Sequence, residues 1–436
     1  MYEFYLKSED RLNEFYHKYK DHDWLFILPI MLLALTRTLE HFFWLLSSGR
    51  GFPQAADSKW YLDYATGLLK DFNVGLHMND IMYFGYNMLL TLLLALFEDP
   101  VAVLFIQSVI SGLSVILVYK IALILFNRST AILAALFYAT RWEITLWSMY
   151  ILSDSFFISV LLLCVYFLLM AFESDKKNYK ILFAVTAIYM MVFRPTGIMT
   201  MAVILAYIAI RLGKKRIAVG LNQYRRPIAG ALLSIFAIGI YLYSSHKFDP
   251  LLQSLQVNVK MVLYNVYAKG WLYDLATPYD HFFRPDYRVN WYGSLFISFI
   301  VNNWDHVSIL YVKRAIGFLG KWVWQIDLSS LTGIGQFLYN VTPTALFTVG
   351  SIAAVRDEKF RKASIVWLLI LAVFAFCLVL FIDWMYRYRY PAVPFIAIAA
   401  AFGADQILRW TLIRVKKIAG LLQYANRKNT GCHTGF

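Results

Sequence analysis

Of 436 residues, 60% are hydrophobic and 16% are charged, far from the roughly 45–50% and 25% of soluble domains. The formal charge of +14 is scattered in short clusters between apolar runs, so a nucleic-acid-binding face or tail is excluded along with any soluble fold. Cys164 and Cys377 lie inside apolar runs and Cys432 near the chain end, a usage that gives neither a disulfide framework nor a metal-ligand spacing.

Residues 1–23 are polar and mixed in charge. The run after them, Trp24–Leu46, lacks a small-residue cleavage site and reads as a retained anchor. It carries Arg37 and Glu40 three residues apart, where they could neutralise one another on one helical face. Further apolar runs read as spans of the hydrocarbon core. They are Val101–Phe126, Ser129–Trp147, Leu152–Phe172, Ile181–Phe193, Pro195–Ile210, Ile228–Ser244, Gly335–Val355, Ser364–Ile382 and Tyr390–Leu408, which makes ten spans.

Charge decides two ambiguous stretches. Ile181–Ile210 is broken by Arg194-Pro195, and a hairpin there keeps Lys176, Lys177 and Lys180 on the same side as Lys214, Lys215 and Arg216. That is the cytoplasmic side by the positive-inside rule. Ile81–Phe97 has no charge in its run, but as a span it would turn every later basic loop outward. It therefore reads as an interfacial helix. The inward segments then hold 24 Lys and Arg against 15 outward.

The sequence thus divides into a cytoplasmic segment (1–23), a first transmembrane helix (24–46) and an extracytoplasmic loop with interfacial helices (47–100). A transmembrane core (101–244), a large outer loop (245–334), the last transmembrane helices (335–408) and a basic cytoplasmic tail (409–436) follow. The expected fold is an all-α polytopic membrane protein with both termini cytoplasmic. No repeat or duplicated half is visible, no P-loop occurs, and no His/Cys cluster suggests a metal.

Outward polar residues are the candidates for chemistry. Asp57 lies just past the first span, in Ala55-Ala56-Asp57-Ser58-Lys59-Trp60-Tyr61. It reads either as a helix N-cap or as a general base facing an acceptor hydroxyl. Asp154, at the outer start of a span, carries the same two options, capping or function. Arg194 at the outer turn, with Arg387 and Arg389 in Asp383-Trp384-Met385-Tyr386-Arg387-Tyr388-Arg389, forms a cationic set on the side where positive charge is disfavoured. Guanidinium forks suit phosphate, and lipid head-group anchoring is the plainer alternative. The large loop is rich in aromatics, Trp271 among them, which suit sugar faces and membrane interfaces alike. Val307–Trp324 reads as a surface-lying amphipathic helix with Lys313, Arg314 and Lys321 on its polar side.

Several of these stretches recur in family order. They are Ala56-Asp57-Ser58-Lys59-Trp60-Tyr61, Tyr83-Phe84-Gly85-Tyr86-Asn87, Leu125-Phe126-Asn127-Arg128-Ser129, Ile151-Leu152-Ser153-Asp154-Ser155, Arg194-Pro195-Thr196-Gly197 and Arg389-Tyr390-Pro391-Ala392-Val393-Pro394. With them the chain resembles the GT-C superfamily of membrane glycosyltransferases, in its protein O-mannosyltransferase-like branch. That branch includes the aminoarabinose transferases of lipid A and the Rgt-type lipopolysaccharide sugar transferases. Asn87 stands where a proline is common in the family.

The resemblance implies a GT-C-like bundle and inverting transfer of a sugar from a polyprenyl-phosphate donor to a glycan, lipid or protein acceptor at the outer face of the cytoplasmic membrane. It implies Asp57 as catalytic base, Asp154 as its support, and Arg194, Arg387 and Arg389 on the donor phosphate. Lys59, Tyr61, Tyr86 and Trp271 are the expected substrate contacts, with no metal and no nucleic acid. A carrier or flippase of lipid-linked saccharides, and an O-antigen polymerase or ligase, are the rival readings.

Overall fold

The structure is a computed structural model that describes residues 18–19, 22–72, 74, 79–223, 225–264, 286, 288–323, 326–357, 360–379 and 385–430. Every regular element among them is helical. In chain order they are α1 (Asp23–Ser47), α2 (Ala56–Asp71), α3 (Phe84–Phe97), α4 (Pro100–Leu113), α5 (Val115–Leu125), α6 (Arg128–Thr140), α7 (Trp142–Trp147), α8 (Ser153–Glu173) and α9 (Lys177–Phe193). Then come α10 (Pro195–Gln223), α11 (Arg225–Ser244), α12 (Asp249–Tyr264), α13 (Leu295–Asn302), α14 (Trp304–Phe318), α15 (Leu331–Arg356), α16 (Phe360–Val379), α17 (Met385–Arg389) and α18 (Val393–Thr430).

Eight helices among the described residues are long and apolar enough to cross a membrane, with α4–α5 and α17–α18 each counted as one. They match eight of the ten expected spans. The other two are shorter than a full span. The stretch expected as Ser129–Trp147 stops at Thr140, because Arg141 is extended (φ −75°, ψ 119°) and α7 starts afresh beyond it. Ile181–Phe193 is the 17-residue α9.

Ion pairs and hydrogen bonds settle how the helices run. Asp154 at the start of α8 meets Arg194 just before α10, while Glu173 at the end of α8 meets Arg211 within α10 and Lys362 near the start of α16. Helices α8 and α10 are therefore parallel, and α9 returns between them. The expected hairpin at Arg194 is present, and Pro195 explains it: the ring bars its predecessor from the α region, so Arg194 is extended (φ −164°, ψ 159°).

Two ends result. One carries Asp57, Asp154, Arg194 and Arg387. The other carries the α5–α6 turn, tied to α1 by Arg128–Asp23 (2.6 Å) and to α18 by Asn127–Asp405 (2.9 Å), together with the Glu173 cluster.

Helix α3 spans only about 21 Å at 1.5 Å per residue, and the chain enters and leaves it at the first of these ends. Gly85 backs onto Val192 and Phe193, where a Cβ would meet backbone at 3.0 Å. Gln107 of α4 donates to the carbonyls of Ser148 (2.9 Å) and Tyr150 (2.8 Å). Phe84–Phe97 is thus an apolar helix shorter than the eight that are long enough to cross a membrane.

Two sequence expectations change. No ion pair joins Arg37 to Glu40 among the described residues; both are exposed on α1. Arg314, expected on the polar side of a surface helix, is buried and donates to the Leu378 carbonyl at 3.0 Å. The end of α16 presents carbonyls without intrahelical partners and the negative pole of a helix, which a guanidinium satisfies. Burial pushes Arg314 down to about 10, against smaller opposing effects of Tyr311 and Cys377.

Candidate active site

Two carboxylates arrive at the first turns of two helices, and neither caps its helix. Ala55 is the N-cap of α2, and the hydroxyl that serves it is Ser58, whose Oγ accepts from the Ala55 amide at 3.1 Å. Leu152 holds the same position on α8 with no side-chain cap. The capping alternative is therefore not realised for Asp57 or for Asp154. Both remain near the positive pole of a helix, where negative charge is favoured.

They are used in a chain of four charges. Arg194 donates through Nη1 to Asp154 Oδ1 at 2.5 Å, and Arg387 donates through Nε to Asp154 Oδ2 at 3.1 Å. Arg387 then reaches Asp57 Oδ2 through Nη1 at 2.7 Å. One guanidinium so bridges two carboxylates, using donors that only an arginine fork places at that spacing. The order is Arg194, Asp154, Arg387, Asp57, and the formal sum is zero.

Exposure grades along this chain. The side chains of Asp154 and Arg194 are 0% and 2% accessible, Arg387 is 8%, and Asp57 is 46%. Asp57 is thus the one member whose carboxylate reaches the surface. Burial works against the charge on Arg194, but the Asp154 carboxylate outweighs it, and the guanidinium is held above its ordinary value.

Aromatic rings pack beneath the chain. Tyr61 stands edge-on to Tyr86 with centroids 4.8 Å apart and to Tyr83 at 5.6 Å; Tyr86 meets Phe193 at 5.7 Å. Tyr61 is buried and its hydroxyl lies 3.4 Å from that of Ser153. Burial, with neighbouring acidic groups in support, raises Tyr61, Tyr83 and Tyr86 above their ordinary value, so all three stay neutral hydroxyls.

Of the expected site residues, Asp57, Asp154, Arg194, Arg387, Tyr61 and Tyr86 come together. Lys59 is exposed, two positions from Asp57 and hence on the far side of α2. Arg389 turns away from Asp57 toward Phe318, with its guanidinium 5.6 Å from that ring, and lines a separate pocket with Arg141 and Glu143. Trp271 lies outside the described residues. Tyr83 belongs to the cluster although only its neighbour Tyr86 was singled out; its place one helical turn before Asn87 was the available signal.

Comparison with known proteins adds to this geometry. Residues 84–243 match the pattern of the family described as dolichyl-phosphate-mannose-protein mannosyltransferase. The apo oligosaccharyltransferase of Archaeoglobus fulgidus superposes with a TM-score of 0.50 over 90% of this chain and 51% of that one, at 14% identity. The chain has a GT-C fold. A second solved structure, the oligosaccharyltransferase AglB of the same organism with an inhibitory peptide and a dolichol-phosphate, gives a TM-score of 0.42 over 92% of this chain and 52% of that one, at 13% identity. The chain spans about half the length of these oligosaccharyltransferases. No curated protein matches it in sequence. Within the GT-C bundle the four-charge chain draws on α2, α8, the α9–α10 turn and α17, so it forms only when the whole helical body is assembled.

Proposed function

We propose that this protein is a membrane glycosyltransferase that moves a sugar from a polyprenyl-phosphate donor to an acceptor hydroxyl, with inversion, at the outer face of the cytoplasmic membrane. The observation that carries the reading is Asp57: a half-exposed carboxylate on a first helical turn, fixed through one oxygen by Arg387, with its other oxygen without a partner among the described residues and so able to take a proton. The mannosyltransferase family pattern over residues 84–243 supports the donor class.

Asp57 takes the proton from the acceptor hydroxyl as that oxygen attacks the anomeric carbon, and the sugar–phosphate bond breaks with its electrons left on the lipid phosphate. Asp154 is sealed from solvent and serves to position Arg387 and Arg194. With one carboxylate facing the surface, a single displacement is supported over a two-step route through a covalent sugar. Tyr61 and Tyr86 form the floor, while Lys59 and Trp271 are assigned to the more distant parts of the substrates. The acceptor is a glycan, lipid or protein.

The test is Asp57→Asn in purified protein given a labelled polyprenyl-phosphate sugar and acceptor. Base catalysis is worth about 10²–10⁴-fold, so transfer should fall by that factor while the fold persists. Transfer at a near-normal rate would remove Asp57 from this role.

A further inference from the structure

At the end of the bundle opposite Asp57, some cations are paired inside the fold and others are not. Glu173, at the end of α8, takes both Arg211 of α10 (3.1 Å) and Lys362 of α16 (3.0 Å). Arg361 is used on the backbone: its Nε donates to the Ile210 carbonyl at 2.8 Å and its Nη2 to the Arg211 carbonyl at 3.2 Å. Lys176, Lys177, Lys180, Lys214, Lys215 and Arg216 are exposed and enter no ion pair among the described residues. Over 175–180 and 214–216, Asp175 is the one acid against these six cations.

The fold brings the two stretches together. Helices α9 and α10 meet at the Arg194 hairpin, and Lys177 and Arg211 each lie about 24 Å from it at 1.5 Å per residue. Gly213 then breaks α10 with φ 75° and ψ 158°, a conformation that is essentially glycine's alone. The Ile210 and Arg211 carbonyls fall in the last turn before the break, and Arg361 is their donor. The chain therefore leaves the line of the span at a fixed point and presents Lys214, Lys215 and Arg216 beyond it.

The surroundings show what this rim faces. Lys177 and Lys180 stand at the start of α9, whose first turn holds no acid. A cation there works against the positive pole of the helix, so its placement gains nothing from within the chain. Along the spans toward the hairpin the wall behind the cations is apolar and outward-facing. Ile181, Leu182 and Val185 of α9 and Leu205 and Ile210 of α10 are all exposed. A row of cations at the rim of an exposed apolar wall complements an amphiphile with an anionic head and acyl chains. A soluble acidic partner would leave the wall uncovered.

We infer that this face binds anionic phospholipids, with their phosphate groups among the six cations and their acyl chains along α9 and α10. Charge placed only to orient the spans needs no particular lipid. A surface assembled from two stretches and fixed by Gly213 and Arg361 is selective for one. The inference goes beyond the glycosyl-transfer reading and does not depend on it.

The test uses the full-length protein in detergent, titrated with phosphatidylglycerol or with phosphatidylcholine of the same chains and read by native mass spectrometry. Each cation near an anionic surface contributes roughly fivefold in affinity, so phosphatidylglycerol should bind at least about tenfold tighter. The triple variant Lys214→Gln/Lys215→Gln/Arg216→Gln should lose most of that preference. The double variant Arg50→Gln/Lys70→Gln, on the segment that carries Asp57, should keep it. Equal binding of the two lipids by the wild type overturns the inference. A preference that survives the triple variant, or is lost as fully in the double variant, overturns it as well.

Hydrogen exchange of the wild type in nanodiscs needs no variant. Amides of 174–180 and 211–223 should exchange more slowly with phosphatidylglycerol present than in phosphatidylcholine alone. The difference should shrink at about 0.5 M salt, where the Debye length is about 4 Å. No difference at either stretch overturns the lipid site. Displacement of phosphatidylglycerol by poly-glutamate would make the face a docking surface for an acidic polypeptide and overturn the lipid reading.

Discussion

Replacing Asp154 by Asn removes one charge from a buried set that sums to zero. Asp154 touches two arginines, at 2.5 and 3.1 Å. At an effective dielectric constant near 20, each pair of charge centres about 4 Å apart attracts by roughly 4 kcal/mol. Much of that is offset by the desolvation the pair already bears. The consequence of the substitution is asymmetric. Arg387 keeps Asp57, but Arg194 keeps no carboxylate among the described residues and is stranded with a 2% accessible side chain. Breaking a buried pair from one side costs about 3–5 kcal/mol, so Asp154→Asn should destabilise by that amount. Arg194→Gln added to it should return part of the loss, because the stranded charge goes with it. The measurement is a reversible detergent titration followed by circular dichroism for the wild type, both single variants and the double variant. A coupling energy of about 2–3 kcal/mol is expected. A coupling below about 0.5 kcal/mol, or Asp154→Asn as stable as the wild type, would refute the buried chain.

Arg387→Lys keeps the charge but loses the fork that bridges Asp57 and Asp154. We expect a kcat lowered at least tenfold with little change in acceptor KM, read by steady-state transfer assays. Gly197→Ala puts a Cβ at 2.0 Å from the Met190 carbonyl. The turn carrying Arg194 must open, so transfer should fall by more than thermal stability does when both are measured on one preparation. Gly350→Ala places a Cβ 2.1 Å from the Ala399 carbonyl where α15 crosses α18. That overpacking should cost about 1–3 kcal/mol in the same detergent titration.

The spans were legible because length and apolarity are local properties. The Arg194 hairpin was legible from Pro195, whose ring acts on the residue before it. What failed was equally physical. Arg141 and Glu143 interrupt the apolar run from Ser129 to Trp147 and mark where the backbone breaks, although the run is long enough in total to pass for one span. Arg37 and Glu40 have pairing geometry on an isolated helix, but a groove beside α1 offers each a polar surround that sequence spacing does not encode. Arg314 looked like one more charge on a polar helix face, and only the end of α16, 64 residues on, explains its burial. The pairing of Asp154 with Arg387 closes over 233 residues and has no local signature.

Arg387 and Arg389 were grouped with Arg194 as one cationic set because all three lie on the same side. Helix geometry separates them: residues two apart on a turn point nearly opposite ways. Arg387 enters a neutral set of four and is spent on holding Asp57. Arg389, with Arg141, keeps an uncompensated charge beside an apolar wall. A site built around the quartet alone would have little net attraction for an anionic donor, since its charges cancel.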